Sequence, residues 1–252
     1  MFAKERQDLI FKMLQKDGAV TTPALVEEFK VSIETIRRDL LTMEEQGLLS
    51  RVHGGAVALG EMKPFSSLGQ RNQEHNDGKN ILAQKAVEMV TEGDIIGIDS
   101  GSTAIFFADA LKKKYSRLTV VTHSADVFES LRNHGDFEVI LCGGHYLKGE
   151  NAFYGPLVLQ SLEQLHVQKA FICPSAISLE FGIGDYQQEL YQVQQKMLAN
   201  AGQVFILADS SKFEKKALLK LSSMKREYCY ITDDSLSETL RQLYLNNEIR
   251  VF

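Results

Sequence analysis

Four short polar loops hold the residue types that could do chemistry in this chain. They are Asp99-Ser100-Gly101-Ser102-Thr103, Thr122-His123-Ser124-Ala125, Gly143-Gly144 and Asp209-Ser210-Ser211-Lys212. Each follows an apolar run, and the first two lead into helical patterns. Small hydroxylated residues and glycine let backbone N–H groups approach an anion at a helix start. A lysine after small polar residues, as at Lys212, suits a phosphate or a carboxylate. There is no G-K-[ST] and no G-x-G-x-x-G, so neither a P-loop nor a dinucleotide fingerprint is present. One such loop reads as a capping turn or a solvated bend. Four at the strand ends of one sheet read as a shared pocket for a polar, anionic small molecule. The three cysteines, Cys142, Cys173 and Cys229, form no C-x-x-C pair and no zinc spacing, which points to buried, reduced thiols and no metal site.

A second concentration lies over residues 31–55. Ser32 is a good N-cap and Glu34 suits the positive end of the helix dipole. Ile36, Leu40 and Met43 recur at helical spacing and form one buried stripe. Gly47 can take the left-handed conformation that closes a helix. Thr35, Arg37 and Arg38 lie off the stripe near the helix start, where a recognition helix touches DNA. Beyond it, Gly54-Gly55 between two short apolar runs reads as a hairpin, with Arg51 and His53 near its tip. Candidate DNA contacts are therefore Thr22, Ser32, Thr35, Arg37, Arg38, Arg51, His53 and Gly54.

The elements that must position these residues follow from periodicity. Residues 3–16 read as a helix with Ile10, Met13 and Leu14 inward. Thr22, as N-cap before Pro23, opens a second helix with Leu25, Val26 and Phe29 inward. Three helices and a hairpin make a winged helix-turn-helix over residues 1–57. Residues 58–77 mix Gly, Pro, Ser and polar residues without a period and read as a linker. Over 78–252, short β-branched runs alternate with helices. Runs that are apolar throughout, rather than alternating, imply a mainly parallel, Rossmann-like sheet covered on both faces, so the fold class is α/β. In such a sheet, ligands bind outside the carboxyl ends of the strands, which is where the four loops fall.

Composition sets limits. The chain has 252 residues, 44% hydrophobic and 24% charged, with a net charge of −5. Residues 1–60 carry 8 Lys plus Arg against 9 Asp plus Glu, so the helix-turn-helix region has no general basic footprint. A few cations on one face can still contact phosphates, with weak non-specific binding. No apolar run is long enough to span a bilayer, and MFAKERQDLIFK has no export signal, so a cytoplasmic protein with no membrane partner is expected.

The string VSIETIRRDLLTMEEQGLLSRVHGGAV resembles the N-terminal signature of the DeoR family of bacterial transcriptional repressors. Its matching words are V-S-x-x-T-I-R-R-D-L, E-x-x-G-L-L-x-R and H-G-G-A. Further on, G-D-I-I-G-I-D-S-G-S-T, V-V-T-H-S, I-L-C-G-G and I-L-A-D-S-S-K-F are similar, in order, to that family's effector domain. The resemblance implies a ribose-5-phosphate-isomerase-like effector domain, no cofactor and a phosphorylated sugar as effector. It implies a pocket of Asp99, Gly101, Ser102, Thr103, Thr122, Ser124, Gly143, Gly144 and Lys212, joined by Glu189 and Lys196 on a helix expected over 187–201. Two positions depart from the family. His123 stands where Asn is usual, as a pH-sensitive effector contact or a surface histidine without a role. Gln168 stands where Asp is usual.

The expected function is a DNA-binding regulator, a repressor of carbohydrate genes that binds operator DNA as a homodimer or homotetramer and answers to a phosphosugar. The alternative is a phosphosugar isomerase-like enzyme, with Asp99, Glu189 and Lys212 forced into acid–base roles. A scaffold without a ligand is the third reading, and the clustered loops oppose it.

Overall fold

The computed structural model describes residues 1–59, 61, 62 and 65–252. The chain opens with α1 (Ala3–Asp17), β1 (Ala19–Thr21), α2 (Thr22–Phe29), α3 (Ile33–Glu45), β2 (Ser50–Val52) and β3 (Gly55–Val57). Ser32 caps α3 by accepting from Thr35 N, and Gly47 (φ +67°) closes it while Leu48 N donates to Met43 O at 3.0 Å. Ile36, Leu40 and Met43 are buried with Ile10, Leu14 and Leu25 in one small core. The three strands form an antiparallel sheet in the order β1-β3-β2, so the hairpin gains a third strand that periodicity did not announce. Gly55 is required there: a Cβ would lie 2.0 Å from Val20 O. Asp39 faces inward and takes Arg6 Nε at 2.5 Å, a buried ion pair tying α1 to α3.

The segment read as a linker contains β4 (Glu61–Met62) and α4 (Leu68–Arg71). Then follow α5 (Asn76–Val87), β5 (Ile95–Ile98), α6 (Ser102–Lys114), β6 (Thr119–Thr122), α7 (Ala125–Leu131), β7 (Glu138–Leu141), β8 (His145–Leu147), β9 (Ala152–Tyr154), α8 (Pro156–Gln164), β10 (Val167–Ile172), β11 (Ala176–Ser178), β12 (Gly182–Asp185), α9 (Gln188–Ala199), β13 (Ala201–Leu207), β14 (Lys215–Lys216), β15 (Leu219–Ser222), β16 (Cys229–Ile231) and α10 (Glu238–Asn246). A 3-10 turn, Ser210–Lys212, sits between β13 and β14.

Six strands form a parallel sheet in the order β16-β13-β10-β5-β6-β7. One face is covered by a core holding Leu82, Phe107, Leu111 and Val127 of α5–α7, and the other by one holding Leu162, Val193 and Leu240 of α8–α10. This is the expected mixed α/β class. A small antiparallel sheet, β11-β12-β15, and the β8-β9 hairpin lie beside it and had no sequence expectation. Beyond α10 the chain adds one bridge to β16, Val251 with Tyr230.

The strand order decides where a ligand can sit. From β5 the chain winds outward through β6 and β7, then returns to add β10, β13 and β16 on the other side. The loops leaving β5 and β10 therefore part, and in such a sheet a ligand crevice lies outside their carboxyl ends, at the switch point.

Candidate functional site

Asp99 ends β5 and lies at that switch point. It has no exposed surface and is fully hydrogen-bonded. Oδ1 accepts from Ser100 N (2.8 Å) and faces His123 Nε2 (3.0 Å), while Oδ2 accepts from Cys173 N and Gln194 Nε2 (both 3.0 Å). Burial pushes its carboxyl up, but the bond and charge of His123, with Cys173 and Gln194, more than offset this and hold it below the ordinary range. Asp99 is thus a buried hub with four partners, not the ligand-facing acceptor expected from its loop.

His123 is equally buried, with Nδ1 on Phe153 O at 3.0 Å. It is not a surface histidine, and it supports Asp99 rather than reaching an effector. Thr122 and Ser124 are also inside: Thr122 Oγ1 donates to Ile98 O (2.8 Å), and Ser124 caps α7 at Val127 N (3.3 Å). Gly144 admits the β8-β9 hairpin, since a Cβ there would lie 2.6 Å from Tyr154 O, and Gly143 is exposed. These residues shape the walls.

The charged end of the crevice is built by Lys212 and two residues that sequence reasoning missed. Lys212 is 8% exposed, and its Nζ reaches Thr103 Oγ1 at 3.4 Å. Lys79, 2% exposed, donates to Glu74 O at 2.6 Å and to Arg71 O. Arg71 pairs with Glu150, and its guanidinium lies 3.6 Å from where a Gly101 Cβ would stand. Burial and then the charge of Lys212 pull Lys79 down to about 8. Among the described residues neither lysine touches a carboxylate, but the charges of Asp209 and Glu74 act on Lys79 from further off and raise it, against Lys212 and Arg71. Asp233 draws the two segments together: it accepts from Ser210 N at 2.8 Å, and its Oδ2 would lie 2.8 Å from a Gly78 Cβ. Beside them α6 begins at Gly101 (φ +101°), which offers its first turn no side-chain cap. Ser102 and Thr103 are its buried first residues.

Beside the cations stand two buried carboxylates, one of them the partner of Arg71. Glu150 accepts from Arg71 and from Gln187 (3.3 Å); Asp185 accepts from Ser175 (2.8 Å), Tyr186 N (2.7 Å) and Gln194 (2.9 Å). Burial raises both carboxyls, against the pull of Arg71 on Glu150 and of Gln194 on Asp185. Lys212, Arg71, Asp99 and Asp185 all act on the buried Cys173 thiol, which burial pushes up and renders inert. Glu189 is exposed. Lys196 is turned away: Gln194 faces Asp99, and two residues on, about 200° around α9, Lys196 pairs with Glu163 of α8 at 3.0 Å. Gln168 lies at the far end of β10, accepting from Ile95 N at 2.8 Å, so its departure from the family pattern does not touch the crevice.

In the winged helix, Thr22, Pro23, Arg37, Arg51, His53 and Gly54 line one cleft between α3 and the wing. Arg38 is exposed; Arg37, rather than Arg38, pairs with Glu34 (3.6 Å). Arg51 Nε stands 3.8 Å from Glu44, which also accepts from Arg51 N (2.8 Å). Two assignments change. The N-cap of α2 is Thr21, and Thr22 is buried, its N–H donating to Gly54 O at 2.8 Å. Ser32 Oγ is engaged by Thr35 N (3.2 Å) and Thr35 Oγ1 (2.8 Å). Both are cap and wing-support groups first.

Two family models match this chain: a DeoR-like helix-turn-helix domain over residues 6–61 and a DeoR C-terminal sensor domain over residues 74–234. The chain belongs to the DeoR family. It is 32% identical to the L-fucose operon activator of Haemophilus influenzae over 97% of each chain. It is 33% identical to the lactose phosphotransferase system repressor of Lactococcus lactis over 94% of this chain and 93% of that one. The ribose 5-phosphate isomerase A structure from Neisseria gonorrhoeae aligns at TM-score 0.42 and 22% identity, over 55% of this chain and 53% of that chain. This DeoR-family protein is a transcriptional regulator with a DNA-binding helix-turn-helix domain, and the relatives it is similar to are named as regulators. Among the described residues no helix is long and apolar enough to cross a membrane.

Arg71 and Lys79 escaped the sequence reading because Arg71 lies inside the segment taken as linker and Lys79 just beyond its end. One signal was available. Lys79 falls in the first turn of α5, where the helix dipole disfavours a cation, so some other interaction must hold it there.

Proposed function

We propose that this regulator is controlled by a phosphorylated sugar bound at the switch-point crevice. One observation carries the reading: two buried lysines, neither in contact with a carboxylate among the described residues, lie with Arg71 near the start of α6, whose first turn has no side-chain cap. Buried cations that repel one another are stable where an anion joins them. A phosphate dianion is the right charge, and its oxygens can take charge-assisted bonds from Lys212, Lys79 and Arg71. Residues 1–57 act as the DNA head and 78–252 as the sensor, joined by 58–77. Arg38 and the cleft between α3 and the wing meet the operator. The protein works in the cytoplasm, as a homodimer or homotetramer, because one winged helix reads too short a site for genomic specificity. Its targets are carbohydrate genes, and the ligand shifts the population between DNA-binding states.

A thermal-shift screen of pentose and hexose phosphates, the matching free sugars and inorganic phosphate tests this. At least one sugar phosphate raises the melting temperature and its free sugar does not. A panel without any shift, or equal shifts from free sugars, defeats the reading.

A further inference from the structure

The winged helix and the α/β part meet chiefly on α10, which is held at both ends. Near its start, Ser237 Oγ donates to Asp17 O, the last residue of α1, at 3.2 Å. Just past its end, the Asn247 amide donates both to His53 O in the wing turn (3.1 Å) and to Leu243 O of α10 (2.8 Å). Asn246 packs on the same turn, its Nδ2 only 3.0 Å from where a Gly54 Cβ would stand. Between these points Ala19 and Val57 share an apolar cluster with Leu240, Leu243 and Tyr244.

The other side of α10 reaches the pocket. Tyr244 is fully buried, and its hydroxyl donates to Glu214 at 2.6 Å. Glu214 lies two residues after Lys212, also accepts from Leu179 N (3.2 Å), and has φ +50°, a conformation a glutamate keeps only when its surroundings hold it. At the next residue β14 begins, pairing with β4 in the segment that leaves the winged helix.

We infer that the end of α10 is a positioning element for DNA binding: Asn246 and Asn247 hold the wing turn in place, and Tyr244 with Glu214 ties that hold to the turn carrying Lys212. A buried hydroxyl–carboxyl bond cannot be stretched without leaving a polar group unpaired, so a displaced Lys212 turn drags α10 with it. A shifted α10 moves the wing against α3, and with it the cleft between them. The wing-positioning half stands on geometry alone; only the link to a ligand rests on the proposed function.

The test uses the full chain and a duplex that the wild-type protein selects from random-sequence DNA. Asn247→Ala should weaken that duplex about tenfold, the equivalent of one lost hydrogen bond, and speed hydrogen exchange of the amides over 50–57. Tyr244→Phe and Glu214→Leu should move both readouts in the same direction by a smaller factor, about threefold, though neither residue bonds the wing. Glu214→Gln keeps an acceptor for Tyr244 and Leu179 and should behave as wild type. A merely structural role lowers the melting temperature and leaves duplex affinity and wing exchange alone; that result in Asn247→Ala and Tyr244→Phe overturns the inference. If Glu214→Leu does not fold, Tyr244→Phe decides, since it keeps the ring. A failed sugar-phosphate screen alongside these wing effects removes the proposed effector and leaves the positioning role intact.

Discussion

The cations of the winged helix and those of the crevice live in opposite environments. Arg37 keeps 62% of its side-chain surface and Arg38 is likewise exposed, whereas Lys212 keeps 8% and Lys79 2%. Exposed cations near a helix start await a large polyanion that brings its own shape and sheds counterions. On the proposed function, the buried ones are pre-placed for a small anion that fits between them. The charges that hold each part together differ in the same way. The winged helix uses a deeply buried pair, Arg6 with Asp39, to join α1 to α3. In the sensor, three buried carboxylates, Asp99, Glu150 and Asp185, each have both oxygens engaged.

The comparison is broken most severely by removing a member of the buried pair. Asp39→Ala leaves Arg6 charged and unpaired in the small core, which should cost about 3–5 kcal/mol. Calorimetry should show the winged-helix transition lost or shifted far down while the sensor's transition stays. A single transition moving as a whole would mean that α10 makes the two parts one cooperative unit.

Next in size is Glu214. Burial raises its carboxyl to about 7, above the ordinary 4.5. The folded state then holds a proton that the unfolded chain has released, so stability falls as pH rises from about 4.5 to about 7 and is level above. With roughly 1.4 kcal/mol per pH unit, the loss is about 3 kcal/mol. Denaturation across that window should show this decline in wild type and not in Glu214→Gln. Parallel curves would remove Glu214 as its source.

Arg38→Ala should weaken operator binding by roughly 1–3 kcal/mol with relaxed preference at one base pair if it reads a base edge, or uniformly across sequences if it holds phosphate. Gel shifts on the selected duplex and its single-pair variants separate these outcomes. Unchanged binding would take Arg38 out of the interface.

How much was legible in sequence follows the same divide. The winged helix could be read because its signals are local: the Ser32 cap, the stripe at 36, 40 and 43, and Gly47 and Gly54 at positive φ. The parallel sheet followed from apolar runs between helices. The crevice was legible only as four loops at strand ends. Which loop residues face inward depends on partners far away in the chain: Asp99 is consumed by His123, Cys173 and Gln194. Arg71 and Lys79 reach the site by a fold-back that no period encodes. Lys196 was misplaced because helical rotation, set by Gln194, turns it to α8.

The central claim is that the buried lysines hold the phosphate of a small ligand. Titration calorimetry with the sugar phosphate found in the screen tests it on wild type and Lys212→Ala across pH. Lys79 carries its charge below about 8 and loses it above, so wild-type affinity should fall as pH rises through that value. Lys212→Ala should bind at least about tenfold more weakly, one charge-assisted contact having been removed, with affinity for the selected duplex unchanged. Wild-type affinity in Lys212→Ala, with no decline through pH 8 beyond that of the ligand itself, would contradict the account.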